Sequence, residues 1–155
     1  MIRVALVDSS LERRLSVQKI LSVDPEISVV GAAADGRAAL EMVFRTSPKV
    51  IAIGMGEEGS ECHYTVSQIM AHRPTAILLL ASPGRSQGEM VAYMLAAGAL
   101  DAMEWPQIEN GCVESASASL LIDRIKLLTR VPVITHIAGK ARPTQTAAVS
   151  FEKRK

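Results

Sequence analysis

Oxygen-bearing side chains follow short apolar runs at three places in this chain. Asp8-Ser9-Ser10 comes after residues 2–7, Glu57-Glu58 comes shortly after residues 50–54, and Ser82 comes after residues 76–81. Carboxylates and hydroxyls gathered in one place suit a hard cation, which takes several oxygen ligands. Each has a plainer role as well. Asp8, Ser9 and Ser10 are helix N-cap residue types, and Glu57 and Glu58 lie between Gly56 and Gly59 in what reads as a solvated acidic loop. His63 and His72 stand nine residues apart, which is not the i, i+4 spacing of a helical ligand pair, and His136 has no evident companion. Cys62 and Cys112 show neither CxxC nor zinc spacing and read as free thiols in a reducing cytosol. No metal and no cofactor are expected. Arg13 and Arg14 read as a solvated helix face.

These residues need a scaffold, and the apolar pattern supplies one. Residues 2–7 form a run interrupted only by Arg3, as a strand covered on both faces does. Val17, Ile20 and Leu21 then recur at helical spacing to about Ser22, and Asp24-Pro25 stops the helix. Residues 27–31 read as a second strand. A helix opened by Asp35-Gly36 follows, with Leu40, Val43 and Phe44 on one face, and Ser47-Pro48 ends it.

Val50-Ile51-Ala52-Ile53-Gly54-Met55 is the expected central strand. Val66, Ile69 and Met70 mark the third helix, residues 76–80 a buried fourth strand, and Val91, Met94 and Leu95 a fourth helix closed by Gly98 as a C-cap glycine. Residues 100–104 are short and strand-like. A loop through Asn110-Gly111 leads to a last helix with Ala118, Leu121, Ile125 and Leu128 at helical spacing.

Strand–helix alternation repeated five times predicts an α/β fold: a doubly wound, flavodoxin-like five-stranded parallel sheet with helices on both faces. Five units are too few for a closed eight-unit barrel. From about Val131 the pattern fails, so residues 1–130 are expected to form one domain and residues 131–155 a partly disordered tail. That tail carries five basic residues against Glu152 alone.

Composition narrows the class further. Apolar residues make up 48% of the 155 and aromatics 3%, with a net charge of +1. That charge gives no global pull toward nucleic acid or membrane surface, and no second helical domain argues for a DNA-binding output. No run approaches the roughly 20 apolar residues of a membrane span. Met1-Ile2-Arg3 leads straight into a strand with no signal-peptide pattern, so a cytoplasmic protein is expected.

In such sheets ligands sit beyond the carboxyl ends of the strands, near the switch in strand order. The residues there are Asp8 to Ser10, Gly54 to Glu58, Ala81 with Ser82, and Glu104 to Pro106. Around them the chain resembles a response-regulator receiver domain (CheY-like), and most of all the receiver half of a chemotaxis methylesterase. The resemblance rests on Arg3-Val4-Ala5-Leu6-Val7-Asp8, on Asp24-Pro25-Glu26-Ile27-Ser28-Val29-Val30-Gly31, and on Ala34-Asp35-Gly36. Further on, Ile69-Met70-Ala71-His72-Arg73-Pro74-Thr75 and Ala97-Gly98-Ala99-Leu100-Asp101 carry it, and Val131-Pro132-Val133-Ile134 resembles the start of that family's interdomain linker. The resemblance spans about residues 1 to 135.

That family implies phosphoryl transfer to an Asp ending the third strand. It also implies Mg²⁺ on two acids after the first strand, a hydroxyl after the fourth, and a lysine after the fifth. Position by position, this chain has Asp8 and Ser9 for the acidic pair, Gly54 for the phosphoacceptor, Ala81 for the hydroxyl (with Ser82 beside it), and Trp105 for the lysine, directly before Pro106. A glycine cannot form an acyl phosphate. The expected function is therefore that of a pseudo-receiver: a non-enzymatic interaction module that docks signalling proteins, or itself, through the helix 4, strand 5, helix 5 face.

Trp105 has two readings. It fills the space a lysine would occupy, or it stands outward with Tyr93 and Pro106 as an anchor of the partner face. Two alternatives accompany the interaction module. One is a small-molecule sensor with an apolar crevice lined by Gly54, Met55, Ala81 and Trp105. The other is a regulatory domain cut from a longer methylesterase-like protein.

Overall fold

The computed structural model describes residues 1–55, 59–81, 88–106, 108–109 and 112–133. Five strands alternate with five helices: β1 (Ile2–Val7), α1 (Leu11–Ser22), β2 (Ile27–Ala33), α2 (Gly36–Thr46), β3 (Val50–Gly54), α3 (Gly59–His72), β4 (Ala76–Ala81), α4 (Gly88–Ala97) and β5 (Asp101–Glu104). A two-strand hairpin, β6 (Ile108–Glu109) and β7 (Cys112–Val113), precedes α5 (Ser115–Leu128). The main sheet has the order β2-β1-β3-β4-β5 and every pairing in it is parallel. This is the doubly wound arrangement that the repeated strand–helix pattern predicts.

β3 is central because both of its faces are apolar. Val50 and Ala52 join Val4, Leu6, Leu78 and Leu80 beneath α1 and α5, where Val17, Leu21, Leu121 and Ile125 meet them. Ile51 and Ile53 point the other way, onto Ala39, Met42 and Val43 of α2, Val66 and Ile69 of α3, and Met94 of α4. The period-2 alternation of a strand thus feeds two separate layers of core. Each fully buried aliphatic side chain contributes roughly 1.5–3 kcal/mol relative to exposure.

Local differences from the sequence reading have physical causes. The buried face of α2 is Ala39, Met42 and Val43; Leu40 is only partly covered, and Phe44 is half exposed with the Arg73 guanidinium 5.4 Å above its ring. Ala39 fits the close approach of helix to sheet, which rotates the larger Phe44 outward. The segment expected as a loop before α5 contains β6 and β7, on either side of Asn110-Gly111, the dipeptide most favoured for a two-residue hairpin turn. Packing runs past residue 130, since Val133 lies partly buried against the α1/α5 layer. The later tail residues, including His136 and the basic cluster, lie outside the described residues.

Gly98 behaves as its position suggests. Its amide donates to Leu95 O at 3.1 Å and the Ala99 amide to Met94 O at 3.1 Å, the paired bonds of a Schellman C-cap. Its φ is +129°, and a Cβ there would lie 2.5 Å from Met70 Cγ. On the far side, Lys126 of α5 bridges Asp24 at 2.8 Å and Glu26 at 3.2 Å. The bond to Lys126 holds the Asp24 carboxyl below its ordinary value, and the bonds to Asp24 and Glu26 hold the Lys126 ammonium above its own.

Candidate functional site: the carboxyl end of the sheet

With the order β2-β1-β3, successive connections leave β1 and β3 in opposite directions, and their carboxyl ends adjoin at the switch point. Asp8 stands one residue past β1 and is 3% exposed. Its amide donates to Ala33 O at 3.0 Å, tying the residue to the end of β2. Oδ1 accepts the Ser10 amide at 2.8 Å. The remaining capacity of the carboxylate goes to one guanidinium, with Arg13 Nε donating to Oδ2 at 3.0 Å and Nη2 to Oδ1 at 2.9 Å. Arg14 Nη1 donates to the Asp8 carbonyl at 2.6 Å.

Asp8 is thus fixed by two arginines of α1, which the sequence reading left as a solvated face. The helix cap itself is Ser10, whose Oγ accepts the Arg13 amide at 3.2 Å. Asp8 positions that cap rather than forming it. A signal for the fork was present in the sequence. Arg13 is the third residue of α1, where the helix dipole disfavours a cation, and a nearby buried carboxylate offsets that cost.

Gly54 ends β3 beneath this pair. A Cβ built there would fall 1.9 Å from Asp8 Oδ2, 2.7 Å from Asp8 Cγ and 2.6 Å from Trp105 Cζ2. The volume above Gly54 is therefore filled by an aspartate carboxylate and an indole edge. Trp105 is held by its amide, which donates to Ala81 O at 2.8 Å and extends the β4–β5 register past Glu104. The Arg13 guanidinium lies 5.4 Å from the centre of the Trp105 ring, within cation–π range. Indole Nε1 is buried and has no hydrogen-bond partner among the described residues. Asp8, Arg13 and Trp105 together form a cover over Gly54. The Gly54 carbonyl accepts a long hydrogen bond from Cys62 Sγ at 3.6 Å.

The cover bears on the two readings of Trp105. Its indole turns toward Gly54 and Asp8 and packs on the α1/α5 core, so it fills the space of the expected lysine. Pro106 is buried. Neither residue stands outward beside Tyr93, as a surface anchor would. Tyr93 is 55% exposed and stacks on His63 of α3, with ring centroids 3.9 Å apart and planes within 10°. Ser9 is exposed, and Ala81 ends β4 half-buried. Glu57, Glu58 and Ser82 lie outside the described residues.

These residues do not fit the Mg²⁺ that the family resemblance implies. Asp8 is already engaged by a bidentate cation, Ser9 contributes no carboxylate, and Gly54 has no side-chain oxygen. Among the described residues no group of three His, Cys, Asp or Glu side chains converges as a metal site. Among the same residues no helix is long and apolar enough to cross a membrane.

Comparison with known proteins agrees with the fold. No protein-family model matches the chain. The protein-glutamate methylesterase/protein-glutamine glutaminase of Symbiobacterium thermophilum is 32% identical over 150 residues, covering 97% of this chain and 39% of that protein. Its counterpart in Desulfitobacterium hafniense is 33% identical over 161 residues, covering 97% and 41%. The chain spans about two fifths of the length of these curated relatives. The crystal structure of the response regulator domain of Thermotoga maritima CheB superposes with a TM-score of 0.72 and 25% identity, covering 85% of this chain and 98% of that one. A parallel sheet of order β2-β1-β3-β4-β5, in a chain that matches 98% of that regulatory domain, leads to one conclusion: the chain belongs to the response-regulator receiver domains and is homologous to the receiver half of the methylesterases.

Proposed function

We propose that this domain is a pseudo-receiver, a regulatory protein-interaction module of bacterial two-component or chemosensory signalling that works in the cytoplasm without being phosphorylated. The observation that carries the reading is the cover over Gly54. The position of the phosphoacceptor has no side chain, and its space is taken by Asp8 and Trp105. The cation that faces Asp8 is the protein's own Arg13, so the charge a receiver balances with a metal is balanced internally. Such a domain holds one conformation at this end of the sheet, and its partners read that surface directly. It is not an enzyme on this reading.

The filled space argues against the small-molecule sensor, because the space above Gly54 in the crevice expected between Gly54, Met55, Ala81 and Trp105 is taken by the indole and the Asp8 carboxylate. The share of the relatives' length that the chain spans supports placing the module as the regulatory part of a longer methylesterase-like protein. A reading frame continuing past Lys155 into an esterase domain is the finding that would establish that placement, and a stop codon there would exclude it.

Incubation with acetyl phosphate and Mg²⁺, followed by intact mass and Trp105 fluorescence, tests the central reading. The expected result is an unchanged mass and fluorescence indifferent to Mg²⁺. A covalent gain of about 80 Da, the mass of one phosphoryl group, would overturn it.

A further inference from the structure

We propose that the amino end of the sheet, opposite the Gly54 site, docks a short acidic polypeptide segment that also carries an apolar side chain. Arg3 lies in β1, Arg45 in the last turn of α2, Lys49 just before β3 and Arg73 just after α3, and all four are exposed. Their backbones and side chains adjoin. The Lys49 amide donates to Arg3 O at 2.7 Å. The Arg3 guanidinium donates to Thr46 O, next to Arg45. The Arg73 guanidinium lies 5.4 Å from the ring centre of Phe44, the residue before Arg45, and that ring is half exposed. Among the described residues none of the four cations has an ion pair. Glu41, one turn before Arg45, makes none either, while Asp24 and Glu26 are held by Lys126.

Cations at helix C-termini are ordinary, but that accounts for only part of this patch. α2 and α3 both end here, and a helix C-terminus carries roughly half a negative charge. The two together offset about one cation of the four. Charge complementarity therefore selects an anionic partner, and the build of the patch selects its kind. Guanidinium forks take carboxylates two bonds at a time. Arg3 is held by the Thr46 carbonyl and Arg73 by the Phe44 ring before anything binds, which lowers the ordering cost of association. Phe44 adds an apolar contact among the charges. The whole chain carries only +1, so the residues outside the patch are together net acidic and repel an extended polyanion such as nucleic acid or an anionic membrane. Residues 134–155 are themselves basic and do not suit the patch. The surface lies on the α2/α3 side, away from the helix 4, strand 5, helix 5 face, and the inference stands independently of the lost phosphorylation.

Fluorescence anisotropy of a labelled peptide of six glutamates and one leucine, titrated with the full chain, is the test. The expected result is saturable binding that weakens about fivefold between about 20 and about 150 mM salt, as screening shortens the reach of exposed charges. Arg45→Glu and Arg73→Glu each weaken it about fivefold or more. Phe44→Ala weakens it about threefold at unchanged charge. Arg37→Glu, the same charge change at the other end of α2, leaves it within about twofold. Circular dichroism confirms that each variant is folded, as exposed positions should allow. Absence of binding in low salt overturns the proposal, and so does an equal loss from Arg37→Glu. Tighter binding of a short single-stranded DNA or of phosphatidylserine vesicles than of the peptide overturns it too, as does a dimer in sedimentation velocity that Arg45→Glu dissolves. None of these readouts depends on the acetyl phosphate result, so either reading can fail without the other.

Discussion

Gly54→Ala is the most informative single change. Gly54 lies in a regular strand with no positive φ, so alanine there meets no backbone strain. Replacing a strand glycine would by itself add stability of roughly 0.5–1 kcal/mol. Against that stands the new Cβ, 1.9 Å from Asp8 Oδ2 and 2.6 Å from Trp105 Cζ2. A carboxylate oxygen is the far end of a short side chain, and if it were loose it would swing aside at little cost. It is not loose. Three hydrogen bonds hold the Asp8 carboxylate, two of them from one guanidinium, and the residue is 3% exposed.

Overpacking in a filled site costs about 1–3 kcal/mol, and disturbing a charged hydrogen bond costs roughly 1.5–3 kcal/mol. The expected net loss for Gly54→Ala is about 2 kcal/mol by this reasoning. Urea unfolding with unchanged m-value is the assay. A double-mutant cycle with Asp8→Ala sharpens it, since removing the carboxylate should make the alanine far better tolerated, with a coupling of at least about 1 kcal/mol between sites in contact. If Gly54→Ala is as stable as the parent, the cover is not rigid and the argument from a filled pocket fails. The same geometry predicts that Gly54→Asp, which puts back a carboxylate where the family has its phosphoacceptor, gains no phosphoryl group from acetyl phosphate.

Arg13→Ala should destabilise by about 2 kcal/mol in urea, below the 3–5 kcal/mol of a fully buried pair because Arg13 is 37% exposed, and should shift Trp105 emission by removing the cation beside the ring. An unchanged emission spectrum would show that the guanidinium does not rest on the indole. Gly98→Ala should cost more than about 1 kcal/mol, since alanine rarely adopts φ +129° and its Cβ would press on Met70. An equally stable variant would contradict the Schellman cap. The Asp24 contribution is fully present above the ordinary carboxyl value of 3.8 and is lost as pH falls through its lowered folded-state value. The Lys126 contribution is present below 10.5 and is lost as pH rises through its raised value. Lys126→Met should therefore flatten both limbs of a stability-against-pH curve, and unchanged limbs would refute the bridge.

What the sequence made legible follows from which forces are local. Strand and helix order could be read because periodicity is set by burial along each element, and Gly98 because a C-cap needs a positive φ. That position 54 carries no side chain was equally plain, since it is a matter of residue type. The replacement was not legible. Whether Arg13 reaches solvent or Asp8 depends on the position of the Asp8 carboxylate between β1 and β3, and that is known only once the sheet is assembled. Trp105 was ambiguous for the same reason, because a strand end fixes which way its next side chain turns through pairing with β4. The α2 face was misread by about one residue because Ala39 is small, and a hydrophobic pattern gives little weight to the residue that allows closest approach.

On the proposed pseudo-receiver reading, the changed positions are better understood as one rearrangement than as separate losses. With no carboxylate at position 54, Asp8 would be left as a buried anion with no metal site to justify it. Such a group is costly unless it is paired and hydrogen-bonded. Arg13 supplies both, but a guanidinium is wider than a metal ion and needs a flat neighbour on its free face. A lysine at position 105 would repel it, whereas an indole attracts it through the ring. The indole in turn occupies the volume that a side chain at Gly54 would need. Glycine at 54 and tryptophan at 105 thus each remove a conflict that the other side would meet, and reverting either one alone puts a steric clash or a like charge into the site. On this argument the route back to a phosphorylated receiver needs at least Gly54, Trp105 and Arg13 changed together, with Ser9 returned to an acid to complete the metal ligands. A quadruple variant that became phosphorylated while every single revertant stayed inert would be its direct demonstration; phosphorylation of Gly54→Asp alone would refute it.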